Sequence, residues 1–212
     1  MIDLNPLDFS AEKWLMDNRH VRAIAGIDEV GRGPWAGPVV AAAVILNPDD
    51  LPLDAQDSKK LTAKKREALY PLILEKAQVG IGEASVAEID EINILRATFL
   101  AMERAVANLP AAPDFAVIDG NKVPKNMPCA SHCVVKGDGK VLSIACASIV
   151  AKVYRDKLMA ELGEAHPHYG WHTNAGYGTK VHQEGLAKFG ITSHHRRSFA
   201  PIAKIYQQQK SA

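Results

Sequence analysis

The chain has 212 residues, 47% hydrophobic and 23% charged, with a formal net charge of +1. That length suits a single α/β domain with a substantial core. The near-neutral balance excludes binding to nucleic acid by bulk charge alone, so any phosphate affinity must be local. From Lys180 onward there are six Lys/Arg against one acid, Glu184, which marks one candidate basic edge. The three cysteines, Cys129, Cys133 and Cys146, do not have zinc-finger spacing and read as buried, reduced thiols in a cytoplasmic setting. Residues 1–20 are polar and mixed in charge, unlike a signal peptide, and apolar runs such as residues 39–46 are too short to cross a bilayer.

In chain order, residues 10–16 predict a short helix. Residues 22–30 and 39–46 are apolar, β-branched runs separated by GRGPWAGP, which predicts two strands joined by a shaped loop. Thr62 predicts the N-cap of a helix starting at Ala63, with Pro71 expected to kink or split it. Residues 79–86 read as a strand. Residues 88–108 read as a helix with Ile92, Leu95, Phe99, Met102 and Val106 along its apolar stripe. Strands follow at 115–118, ending in Asp119-Gly120, and at 133–135. Helices are predicted at 144–162 and 181–189, and the terminal QQQKSA reads as disordered. Strands interleaved with helices imply a mixed sheet covered by helices.

Four carboxylates stand where the chain leaves an apolar strand or turns sharply: Asp28 and Glu29 after AIAGI, Asp119 after FAVI, and Asp138 in KGDGK. Acids at the ends of buried strands are costly to desolvate unless they are paired or bind a cation. Clustered acids repel one another, and all-oxygen ligands suit Mg2+ or Mn2+ better than zinc. Consecutive strand residues face opposite sides, so for Asp28 and Glu29 to share a metal the strand should end, bulge or twist there. Taken singly, each acid reads more readily as a solvated turn or helix cap than as a ligand.

The segment GIDEVGRGPWAGPVVAAAV closely resembles the amino-terminal signature of bacterial ribonuclease HII, the type 2 ribonuclease H. The resemblance continues in order through DSKKL, VIDGN, KGD, IACASIVAKVYRD, GYGT and HHRRSF, nearly the length of the chain. It implies an RNase H-like mixed sheet flanked by helices with a C-terminal helical extension. It also implies one catalytic domain over 1–212, whose substrate-binding part begins at about residue 165. Asp28, Glu29, Asp119 and Asp138 would be the catalytic acids, holding two Mn2+ or Mg2+ ions roughly 4 Å apart across the scissile phosphate. The expected substrates are RNA–DNA hybrids and duplex DNA containing ribonucleotides, cut by a monomer to leave 3′-hydroxyl and 5′-phosphate ends. Gly31, Arg32 and Gly33 resemble the family's ribose-reading loop, and Tyr177 its junction-sensing tyrosine. Lys59, Ser148 and Lys152 resemble contacts to the nucleic-acid backbone.

Each of these has a plainer reading. Tyr177 beside a glycine also reads as a half-buried packing residue, and Lys59 and Lys60 as solvated charges. Ser148 and Lys152 lie on a helix whose Ala145, Ala147, Ile149 and Val153 suggest tight packing. His194 to Arg197 reads equally as a basic binding edge or a solvated run. Many family members carry His-Lys where this chain has Asn174-Ala175. The alternatives are a type 3 ribonuclease H, a non-catalytic hybrid-binding module, and a structural phosphate- or metal-binding protein. Too few residues precede the first strand for the extra domain usual in type 3. All four acids are intact, against the module, and a structural protein leaves GRG unexplained.

Overall fold

The computed structural model describes residues 7–52 and 61–210. Strands β1 (Ile24–Val30), β2 (Val39–Leu46), β3 (Ala77–Ala84), β4 (Phe115–Asp119) and β5 (Ala130–Val134) form a sheet in the order β3-β2-β1-β4-β5. β1 is antiparallel to β2 and parallel to β4, which is parallel to β5. The sheet is therefore mixed, as expected. A central strand covered on both faces needs an almost continuous apolar run, and β1 and β2 supply it: Ile24 to Asp28 and all of β2 are buried.

The helices are α1 (Ser10–Arg19), α2 (Ala63–Lys76), α3 (Val86–Ala107), α4 (Leu142–Ala165), α5 (Trp171–Asn174), α6 (Lys180–Phe189) and α7 (Ala200–Lys210). The backbone groups into two compact units. The first comprises described residues within 7–30, 40–83 and 99–153 and contains the sheet. Ala11, Leu15, Ile24, Phe115, Val117, Val141 and Ile144 form one of its core clusters. The second comprises 31–39, 84–98 and 154–210, with a core of Ala36, Met159, Tyr169, Trp171, Leu186 and Ile202.

Three expectations fail, each for a local reason. Pro71 neither splits nor ends α2, which runs unbroken from the Thr62 cap (Lys65 N–H to Thr62 Oγ1, 3.3 Å). Pro71 is exposed while Leu69 and Ile73 are buried, so the lost hydrogen bond falls where water replaces it. α3 is kinked at Asn93 (φ 68°), whose Oδ1 accepts from Leu95 N–H and Arg96 N–H and re-caps the second half. The kink breaks the continuous stripe: Met102 and Val106 are buried, whereas Ile92, Leu95 and Phe99 are only half-buried. The tail is helical through Lys210, because Pro201 near the helix start is compatible with a first turn and Ile202 is fully buried. The thiols also differ, with Cys146 buried but Cys129 and Cys133 only half-buried, all three unpaired by disulfides.

Glu12 shows how the sheet unit is tied together. Only 1% exposed, it accepts a 2.8 Å bond from Ser143 N–H in the first turn of α4 through Oε1. Among the described residues, its buried Oε2 and the buried Ser143 Oγ find no hydrogen-bond partner. Burial outweighs the accepted bond and raises the carboxyl's pKa. A raised acid pKa in the folded state costs stability above that pKa, and the cost vanishes below the ordinary carboxyl range. Glu12→Gln keeps the accepted bond and removes the charge. Its melting temperature should rise, on the order of 2–4 °C at pH 8, with no gain over the parent at pH 4 in calorimetric scans.

Candidate active site

Asp28, Glu29 and Asp119 lie near one another at the carboxyl ends of the parallel strands β1 and β4, where open α/β sheets present their ligand sites. The β1–β4 register pairs Ile27 with Ile118, so one step further along come Asp28 and Asp119, on strands roughly 4.8 Å apart. Asp28 is 7% exposed, and Glu29 and Asp119 are half-buried. Desolvation, then the Glu29 charge, and further down the Asp119 charge raise the Asp28 pKa well above the carboxylate range. Against that, the Ser148 hydroxyl of α4 and the Glu29 N–H (2.8 Å) donate to the Asp28 carboxylate. Asp119 Oδ1 accepts a 2.7 Å bond from Gly137 N–H. The next residue, Asp138, is buried in a 3-10 turn (Gly137–Gly139) that follows Lys136 in a left-handed conformation.

Asp28 and Glu29 pair one-to-one with Ala42 and Ala41, so the strand neither ends nor bulges there. Instead, the Asp28 carboxylate bends along the chain to its neighbour's N–H. The departure from strand geometry comes afterwards, at Gly31 (φ 91°).

Among the described residues, no three His, Cys, Asp or Glu side chains close around one point as a metal cage. The acids form an open, mutually repelling field. That donor set fits Mg2+ or Mn2+, hard cations that keep water ligands and complete their shell with substrate phosphate oxygens. Asp28, Glu29 and Asp119 are the residues able to hold such an ion, with Asp138 beside them in sequence to Gly137.

In the second unit, the 31–38 loop is held by two buried arginines. Arg155 (1% exposed) donates from Nε to Pro38 O (2.9 Å), from Nη1 to Ala175 O (2.9 Å) and from Nη2 to Ala36 O (3.1 Å). Arg196 (0% exposed) donates to the carbonyls of Gly31, Arg32, Gly37 and Pro38. Burial lowers Arg155 to about 10 and Arg196 to about 9, still high enough to keep both charged at neutral pH. At Gly31 a side chain would also collide with the Arg155 guanidinium. Arg32 and Gly33 are exposed.

Tyr177, 50% exposed, lies against this loop. Its Cε1 is 3.3 Å from where a β-carbon on Gly33 would stand. Its main chain is fixed from behind by two histidines. His182 Nδ1 lies 3.0 Å from Tyr177 O, His182 Nε2 lies 3.0 Å from His195 Nε2, and His195 Nδ1 accepts from Thr192 N–H. Those partners assign the protons to His182 Nδ1 and His195 Nε2. Burial holds His195 neutral, its pKa lowered to about 3. The Asn174-Ala175 departure from the family pattern becomes intelligible here. Asn174 Nδ2 donates to Tyr169 O and Thr179 Oγ1, its Oδ1 accepts from Gly176 N–H, and its carbonyl accepts from Tyr177 N–H. Asn174 organises the turn that presents Tyr177.

The remaining sequence candidates fare differently. Ser148 holds Asp28, and half-buried Lys152 lies one turn further along α4 on the same side. Lys59 and Lys60 lie outside the described residues. For His195 and Arg196 both readings, binding edge or solvated run, are corrected: they are fully buried because the loop carbonyls and the histidine pair take up their polar atoms. Arg197 is exposed, its guanidinium over the Tyr206 ring. Arg155, Asn174 and His182 went unnoticed as supports of the loop and Tyr177. Only their place within the YRD and GYGT neighbourhoods could have suggested them.

A mixed sheet with acids at the ends of its adjacent central strands defines a ribonuclease H-like nuclease fold. The crystal structure of ribonuclease H2 from Pyrococcus horikoshii superposes with a TM-score of 0.74 at 24% identity, covering 90% of this chain and all of that one. A ribonuclease HIII solved with Mn2+ (Bst-RNase HIII) shares the fold at a TM-score of 0.72 and 21% identity, covering 90% of this chain and 71% of that one. The family model for ribonuclease HII matches residues 25–202. The ribonuclease HII of Ruegeria pomeroyi is 57% identical over 202 residues, 95% of this chain and 86% of that protein. The chain belongs to the ribonuclease HII family. It is therefore a type 2 ribonuclease H, of a divalent-metal-dependent family that cleaves RNA in RNA–DNA hybrids. Among the described residues no helix is long and apolar enough to cross a membrane.

Proposed function

We propose that the chain cuts on the 5′ side of ribonucleotides, including single ones embedded in duplex DNA, and leaves 3′-hydroxyl and 5′-phosphate ends. Asp28, Glu29, Asp119 and Asp138 would hold Mg2+ or Mn2+, a pair of which supplies an activated water and neutralises charge at the leaving 3′-oxygen. The protein's part is to keep those acids ionised and aimed. The Ser148 hydroxyl and Glu29 N–H favour the charged form of Asp28, and Gly137 N–H holds Asp119. Lys152, and Lys59, would meet the phosphate backbone.

Only the 2′-hydroxyl distinguishes a ribonucleotide from its neighbours. The main chain at Gly31, Arg32 and Gly33 would read it, with the Tyr177 ring stacking on the adjoining deoxyribose and its hydroxyl meeting the 2′-oxygen. The supporting observation is the half-exposed Tyr177 ring lying directly against Gly33. In this reading the chain is one catalytic domain, its helical part from about residue 165 serving substrate binding. It works as a cytoplasmic monomer in ribonucleotide excision and primer removal.

The test is duplex DNA carrying one ribonucleotide, with Mn2+ or Mg2+ and with chelator. Metal-dependent cutting 5′ to the ribonucleotide, giving the stated ends, is expected. Binding without cutting would support a non-catalytic module instead. Tyr177→Ala should lower cleavage at the RNA–DNA junction by more than about tenfold, while overall duplex affinity stays close to wild type. An unchanged junction preference would remove Tyr177 from recognition.

A further inference from the structure

The direction in which loop 31–33 faces is set from beneath, by Arg196. This side chain is fully buried, and its guanidinium donates to main-chain carbonyls. Nη2 donates to Gly31 O (2.6 Å) and Pro38 O (3.1 Å), Nη1 to Arg32 O (3.1 Å), and Nε to Gly37 O (2.9 Å). A trans peptide is planar, with its N–H opposite its C=O. Fastening the carbonyls of Gly31 and Arg32 to one buried fork therefore turns the N–H groups of Arg32 and Gly33 the other way. Arg32 and Gly33 are exposed residues, and by peptide planarity those two amides point away from the buried fork.

We propose that Arg196 is a specificity-determining positioning residue, which orients two successive amide N–H groups to meet the ribose 2′-oxygen and touches no substrate itself. The inference rests on the ribose-reading role given to this loop. Two features fit a positioning role better than a general staple. The planar fork serves four carbonyls of one loop, which a lysine, with three donors on a single point, cannot do in that plane. The segment carrying Arg196 is also clamped: Asp90 accepts from Arg197 N–H (2.9 Å), Ser198 N–H (2.8 Å) and the Ser198 hydroxyl (2.7 Å). A fork held this firmly transmits its orientation to the loop instead of following it.

The experiment uses the Asp28→Asn protein, expected to bind without cutting, and compares dissociation constants for a duplex with one ribonucleotide and for its all-DNA counterpart. The parent should prefer the ribonucleotide duplex. Adding Arg196→Lys should reduce that preference about tenfold, with affinity for the all-DNA duplex unchanged, a pattern that general loosening would not give. A folded Arg196→Lys protein with its preference intact overturns the proposal. No preference in the parent removes the ribose-reading role itself, and the proposal with it. Should the double variant not fold, the parent's Gly33 amide resonance decides. A shift with the ribonucleotide duplex and not with all-DNA supports the proposal, and equal shifts with both overturn it.

Discussion

Asp28→Asn is expected to abolish cleavage while making the metal-free protein harder to melt. The loss should be at least about a thousandfold, equivalent to ~4 kcal/mol of transition-state stabilisation. Asparagine fits the same space and can still accept from the Glu29 N–H, but it brings no charge to a divalent cation. The stability gain follows from the same position. Asp28 is buried, and desolvation, Glu29 and Asp119 all oppose its ionisation. Removing the charge relieves them together.

The sign can be checked by pH. A folded-state pKa raised above the unfolded value means the folded protein binds more protons, so the wild type gains stability as pH falls toward that pKa. With chelator, the melting temperature of Asp28→Asn should exceed the wild type's by a few degrees at pH 8, on the order of 2–4 °C. The gap should close as pH falls and vanish below about 4. Two measurements thus bear on one residue. Near-normal turnover would remove Asp28 from catalysis, and a lower melting temperature at pH 8 would show that the carboxylate is not held against repulsion. An active site that sacrifices stability for charge density shows both effects in opposite directions.

What the sequence disclosed and what it hid follow one division. Patterns along the chain were legible. The apolar runs of β1 and β2, Asp119 at the end of β4 and the Thr62 cap each depend on a few consecutive residues. The acids could be picked out because an acid after a buried strand is costly anywhere, and because their motifs resembled a known family's in order. The supports of the site were not legible. Arg196 sits in HHRRSF, where charge density alone suggests a solvated edge. Only folding reveals that carbonyls more than 150 residues earlier in the chain take up its donors. Asn93 and Asn174 were opaque for a related reason. An asparagine's effect depends on which nearby N–H groups it finds, and that is decided by the turn it then stabilises.

Gly26→Ala is expected to cost the fold itself. Gly26 lies in the middle of β1, and a β-carbon there would collide with the main chain of Ser143 and Ile144 in the first turn of α4. Backbone on both sides of the contact leaves nothing flexible to move, so the loss should reach about 4 kcal/mol or more, read as a collapse in soluble yield or a steep fall in the denaturation midpoint. Gly139→Ala is the control. A β-carbon there meets nothing within 4 Å, and the change should stay within about 0.5 kcal/mol. The close approach at Gly26 also has a consequence for the acids. From Ser143 to Ser148 helix α4 rises about 7.5 Å, and from Gly26 to Asp28 strand β1 advances about 6.6 Å. The near match means that α4, pressed onto β1 at Gly26, brings the Ser148 hydroxyl to the Asp28 carboxylate. A folded remnant of Gly26→Ala should therefore lose activity out of proportion to the stability it keeps. Full specific activity in that remnant would show that the distance between helix and strand does not set the aim of Asp28.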